Sequence, residues 1–127
     1  MARILIVDDS PSQLIGMRRT VEKLGHQVVT AEDGAAGVET AKRELPDLIL
    51  MDVVMPNLNG FQATRSITRE ATTKHIPVIL VTTKDQDTDR VWGMRQGAKA
   101  YLAKPFGEDE LAALIDQYLA PSGPAAA

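Results

Sequence analysis

Short apolar runs alternate along this chain with segments whose apolar residues recur at helical spacing. The strand-like runs are Arg3–Val7, Gln27–Ala31, Leu48–Met51, Val78–Thr82 and Ala100–Ala103. Short, largely apolar and β-branched runs of this kind suit parallel strands covered on both faces. Between the first two runs, Asp9 or Ser10 opens a helix with Pro11 at its first position. Leu14, Met17, Val21 and Leu24 then fall on one face, and Gly25 ends it. A second helix is predicted over 35–44, with Val38, Ala41 and Leu45 on one face and Pro46 beyond. A third is predicted over 61–70 and a fourth over 88–96, stopped by Gly97. The last starts near Glu108 and presents Leu111, Leu114, Ile115 and Tyr118 or Leu119. Strands alternating with helices in this way predict a doubly wound parallel α/β sheet with right-handed crossovers. Ligands bind such sheets at the carboxyl ends of the strands, near the topological switch.

Length and charge narrow the function. At 127 residues the chain is one domain, expected over 1–120, with a flexible tail over 121–127 rich in Ala, Pro and Gly. Nothing the length of a second domain follows, so output through a separate protein is expected. The absence of cysteine excludes disulfides, thiolate metal sites and cysteine nucleophiles. With 14 Lys and Arg against 17 Asp and Glu, no basic cluster appears, which argues against nucleic-acid binding. The apolar start Ile4-Leu5-Ile6-Val7 is too short for a signal segment or a membrane span, so a cytoplasmic protein is expected.

The residues at the strand ends carry the chemistry. Asp8-Asp9 follow the first strand, Asp52 the third, Thr82-Thr83 end the fourth, and Lys104-Pro105 follow the fifth. If the sheet forms, three carboxylates, a hydroxyl and an ammonium converge on one edge. Neighbouring carboxylates repel one another, and a divalent cation relieves that repulsion. Oxygen-only donors favour a hard ion such as Mg²⁺. A carboxylate can also act as a nucleophile and form an acyl phosphate. Lys104 and the Thr82 hydroxyl would then neutralise and bond phosphoryl oxygens.

Taken alone, each of these residues has a plainer reading. Asp8 or Asp9 can cap a helix, and Thr82-Thr83 can be ordinary strand-end threonines. Met51 and Met55 read as packing around the third strand, and His26 and His75 as surface residues. Trp92 reads equally as packed core or as a partner anchor.

Together, Val7-Asp8-Asp9-Ser10, Leu50-Met51-Asp52-Val53-Val54-Met55-Pro56-Asn57-Leu58-Asn59-Gly60, Val81-Thr82 and Tyr101-Leu102-Ala103-Lys104-Pro105-Phe106 resemble the response-regulator receiver family, CheY-like and flavodoxin-like in fold. The likeness covers about residues 2 to 119. It implies strand order 2-1-3-4-5, Asp52 as phosphoacceptor, and Mg²⁺ held by Asp8, Asp9, Asp52 and the Val54 backbone carbonyl. It further implies that Lys104 pairs with the phosphoryl group and precedes a cis bond to Pro105. Thr82 and Tyr101 would be the switch pair, and the fourth helix, fifth strand and fifth helix the readout surface, with Trp92 and Tyr101 on it. Residues 59–65 and 81–93 resemble the PilH type, a stand-alone receiver of the chemotaxis-like system that controls type IV pili and twitching motility.

The resemblance implies a chemotaxis-type histidine kinase as partner, a downstream protein target or a phosphate-sink role, and a monomer without turnover activity of its own. An aspartyl-phosphate phosphatase would need an acid where Val54 stands, and an FMN binder would bring its phosphate against three carboxylates. At the two positions flanking the hydrolytic water, this chain has Val54 and Lys84. Val54 offers that water no hydrogen bond, so self-hydrolysis that is not among the fastest in the family is expected.

Overall fold

The computed structural model describes residues 2–55, 58–84 and 86–119. The expected tail over 121–127, and Pro56 and Asn57 of the motif Leu50–Gly60, lie outside these residues. The elements run β1 (Arg3–Val7), α1 (Pro11–Lys23), β2 (Gln27–Ala31), α2 (Gly34–Glu44), β3 (Leu48–Met51), α3 (Gly60–Arg69), β4 (Val78–Thr82), α4 (Asp87–Arg95), β5 (Ala100–Ala103) and α5 (Glu108–Leu119). All strand pairs are parallel, in the order β2-β1-β3-β4-β5.

Strand periodicity divides the interior into two layers. Leu5, Val7, Ile49, Met51, Val78 and Leu80 face one side, where they pack with Val38 and Ala41 of α2 and Phe61, Ala63 and Ile67 of α3. Ile4, Ile6, Leu48, Leu50, Ile79 and Val81 face the other, against Met17 and Val21 of α1 and Leu111 and Ile115 of α5. Alternating side chains on opposite faces, both covered by helices, explain why these strands read as unbroken apolar runs. Met51 and Met55 are buried, as the sequence suggests.

The helix starts follow local chemistry. Ser10 caps α1 with Pro11 in its first turn, and Asp33 caps α2 by accepting the Ala36 N–H at 2.8 Å. Asn59 and Gln62 form a reciprocal capping box on α3, at 2.9 and 3.0 Å. Gly25 turns the chain after α1 at φ +96°, a conformation suited to glycine.

Three sequence expectations are corrected. Leu24 does not continue the apolar face of α1: it is the C-cap and lies exposed, beyond the last buried turn at Val21. Leu45 is also exposed, because it leaves α2 in the left-handed conformation at φ 47°. The following Pro46 disfavours a further helical residue there. His26 is half-buried rather than a surface residue, and its Nδ1 accepts the Ala2 N–H at 3.1 Å. His75 is exposed.

Candidate functional site

Strand register assembles the site. Val7 pairs with Met51 across β1 and β3, so the next residues, Asp8 and Asp52, leave the sheet side by side. Backbone bonds fix both: Asp52 N–H donates to the Val7 carbonyl at 2.9 Å, and Asp8 N–H to the Ala31 carbonyl at 3.1 Å. On the other side, Thr82 pairs with Ala103, and Lys104 N–H donates to the Thr82 carbonyl at 2.8 Å. The strand ends thus bring Asp8, Asp52, Thr82 and Lys104 to one rim, with Asp9 following Asp8.

Gly60 closes the site from below. A Cβ there would stand 2.0 Å from the Asp52 carbonyl oxygen, so only glycine lets α3 begin this close to the acid. Its N–H donates to the Val53 carbonyl at 2.9 Å.

Asp8, Asp9 and Asp52 each offer a carboxylate oxygen within 4.8 Å of the others. Asp8 and Asp52 are buried and Asp9 is exposed. An all-oxygen set with one open side fits a hard divalent ion that retains water. Asp52 Oδ1 accepts the Val53 N–H at 2.8 Å. Burial, and then the charge of Asp8, push the Asp52 carboxyl above its ordinary value. The Lys104 charge, the Thr82 hydroxyl and the Val53 N–H pull the other way.

The Lys104 ammonium rests on Asp8 Oδ2 at 2.9 Å and also donates to the side-chain carbonyl of Gln13. Sequence reading assigned Gln13 no role. The Lys104–Pro105 bond is cis, as the family resemblance implies. Beside Lys104 opens a cleft of about 460 Å³ lined by Gln13, Gly16, Met17, Thr83 and Phe106 among others. Val54 leaves the site with its side chain exposed.

Thr82 is fully buried at the end of β4, and its Oγ1 accepts the Lys84 N–H at 3.3 Å. The Tyr101 hydroxyl donates to the Lys84 carbonyl, so the two switch candidates meet through one loop residue. Arg90 of α4 lies 5.2 Å from the centre of the half-buried Tyr101 ring. Trp92 is 48 % exposed beside Val91 and Met94 on α4, which excludes the packed-core reading.

Residues 4–116 match the response regulator receiver domain. The chain is 59 % identical over 120 residues to protein PilH of Pseudomonas aeruginosa, covering 94 % of this chain and 99 % of that protein. It is 38 % identical over 113 residues to the phosphate regulon transcriptional regulatory protein PhoB of Escherichia coli, covering 89 % of this chain but 49 % of that one. Among solved structures, the chemotaxis protein CheY4 of Vibrio cholerae superposes with a TM-score of 0.88 at 31 % identity, over 94 % of this chain and 99 % of that chain. The receiver domain of a P. aeruginosa sensor histidine kinase, with a magnesium ion coordinated in its active-site cleft, superposes at 0.87 and 33 % identity, over 93 % and 97 %. A match that runs from β1 into α5, joined by a full-length relative at 59 % identity, places this chain in the response regulator receiver family.

Proposed function

We propose that this chain is a phosphorylation-gated binding module that takes its phosphoryl group on Asp52 from a chemotaxis-type histidine kinase. The observation that carries the reading is the meeting of three carboxylates within 4.8 Å, next to an ammonium already bonded to one of them. One Asp52 oxygen attacks phosphorus and forms the P–O bond. The bond from phosphorus to the donor's imidazole nitrogen breaks, and its electron pair leaves with the imidazole. Lys104 offsets charge on one phosphoryl oxygen, and the Thr82 hydroxyl bonds another. Asp8, Asp9, Asp52 and the Val54 carbonyl would hold Mg²⁺, which supplies charge neutralisation at the phosphoryl group. Chemistry that needs only positioning and charge suits so small a site.

Phosphorylation then draws Thr82 toward the new oxygens and moves the Lys84 loop and Tyr101 with it, changing the α4–β5–α5 face that carries Trp92. The similarity to PilH supports a role in type IV pilus twitching motility. The protein turns over no substrate of its own and works as a monomer, either by engaging a target or by draining the kinase as a phosphate sink. Capture of a partner only in the presence of a phosphoryl mimic supports the first of these; kinase drainage without capture supports the second.

The experiment is a titration of the protein with beryllofluoride and Mg²⁺, followed by Trp92 fluorescence. The expected result is a saturable change that needs both reagents and is lost in Asp52→Asn. A change that persists in that variant contradicts the proposal.

A further inference from the structure

Two helices in this chain begin with the same spacing of cap and glutamine, and their glutamines do different things. In α3, Asn59 is the cap and Gln62 stands three residues on; the Gln62 side chain folds back and accepts the Asn59 N–H at 3.0 Å. In α1, Ser10 is the cap and Gln13 stands three residues on, and its N–H donates to Ser10 Oγ at 3.5 Å. The matching fold-back does not form there, because Asp8 Oδ1 already accepts the Ser10 N–H at 2.9 Å. Gln13 reaches instead across the site, and its side-chain carbonyl accepts from Lys104 Nζ.

Asp8 organises this arrangement with both oxygens. Oδ1 takes over the capping role that would otherwise occupy Gln13, and Oδ2 accepts from Lys104 at 2.9 Å. The ammonium has three protons and no acceptor. We infer that Gln13 is a positioning residue for Lys104: with Asp8 Oδ2 it takes two of the ammonium protons and leaves the third for a phosphoryl oxygen. The inference deepens the reading of Asp52 as phosphoacceptor and rests on it for its consequence, although the positioning itself can be observed without phosphorylation. A long, flexible lysine would otherwise sample many directions, and a charge aimed before the donor arrives costs less to use in the transition state.

The test uses the whole protein and the variants Gln13→Met, which keeps length without the acceptor, and Gln13→Glu, which keeps an acceptor. Two quantities are read. The first is the Lys104 ¹⁵N–¹H ammonium signal, whose protons exchange slowly with water only while they are hydrogen-bonded. The second is the rate of phosphorylation by acetyl phosphate with Mg²⁺, followed by intact mass over a range of donor concentrations. In Gln13→Met the ammonium signal broadens. The maximal rate falls roughly fivefold, as for the loss of one typical net hydrogen bond, while the half-saturating donor concentration stays within about twofold. Gln13→Glu retains the ammonium signal. A Gln13→Met protein with an unchanged Lys104 signal overturns the inference, whatever its rate. If wild type gains no phosphoryl group, the reading of Asp52 falls separately, and the ammonium signal alone decides the role of Gln13.

Discussion

Lys104 and Asp8, 96 residues apart in the chain, meet at 2.9 Å and join the end of β5 to the end of β1. Their side chains are 11 % and 2 % exposed, so the bond is largely removed from water. Removing one partner of such a pair strands the other charge. Lys104→Ala is expected to lose about 3 kcal/mol in metal-free buffer, seen as a lower urea midpoint at an unchanged slope. Mg²⁺ should return part of the loss by facing Asp8 with a new cation. A midpoint equal to that of wild type would show that the bond does no stabilising.

Asp52 gives a prediction in pH. Burial first, and the Asp8 charge after it, raise its folded-state pKa above the ordinary 3.8. Between the unfolded and folded values the native state binds more protons than the unfolded state, so this group makes stability fall as pH rises through that window. Above the folded value the penalty is fully present. Asp52→Asn removes it and should melt higher than wild type at pH 7 in chelator. The advantage should shrink as pH falls through the folded value and vanish below 3.8. A variant that melts lower than wild type at pH 7 would contradict this.

Gly60 is the tightest backbone approach at the site, with the Asp52 carbonyl oxygen 2.0 Å from where a Cβ would stand. Backbone cannot give way as a flexible side chain can. Gly60→Ala is expected to cost at least about 2 kcal/mol and to weaken Mg²⁺ binding by tilting the Asp52 carboxylate. Thermal melts with and without Mg²⁺ measure both effects. An unchanged Mg²⁺-dependent rise in melting temperature would separate Gly60 from the site.

Val54 is 55 % exposed two residues after Asp52 and offers no hydrogen bond to an attacking water. Val54→Asn supplies one and should shorten the lifetime of the phosphorylated protein severalfold. Loss of phosphoryl group over time, read by intact mass after the donor is removed, checks this. A lifetime that is unchanged or longer argues against orientation by this side chain.

The strands were legible in the sequence because each is short, apolar and bounded by turn residues, and all five have the expected bounds. Strand ends place the site, so Asp8, Asp52, Thr82 and Lys104 are legible in the sequence. Leu24 and Leu45 misled because periodicity places a residue on a face without showing where the helix stops. Gln13 was invisible for a different reason. Its distance from Ser10 spells a capping box, the arrangement Gln62 makes with Asn59. In the fold, Asp8 takes the Ser10 N–H and frees that side chain, a contact no spacing encodes. Trp92 could be core or surface by pattern alone, and the thin packing of α4, with Gly93 as its buried residue, leaves the indole half in solvent.

If the chain works as proposed, Asp52 captures a phosphoryl group only when its two acidic neighbours, Asp8 and Asp9, can share a metal ion with it. Incubation with acetyl phosphate and Mg²⁺, followed by intact mass, tests it directly. Wild type should gain the mass of one phosphoryl group, and neither Asp52→Asn nor chelator-treated wild type should gain it. Equal labelling of Asp52→Asn, or labelling of wild type that is indifferent to chelator, would contradict the account.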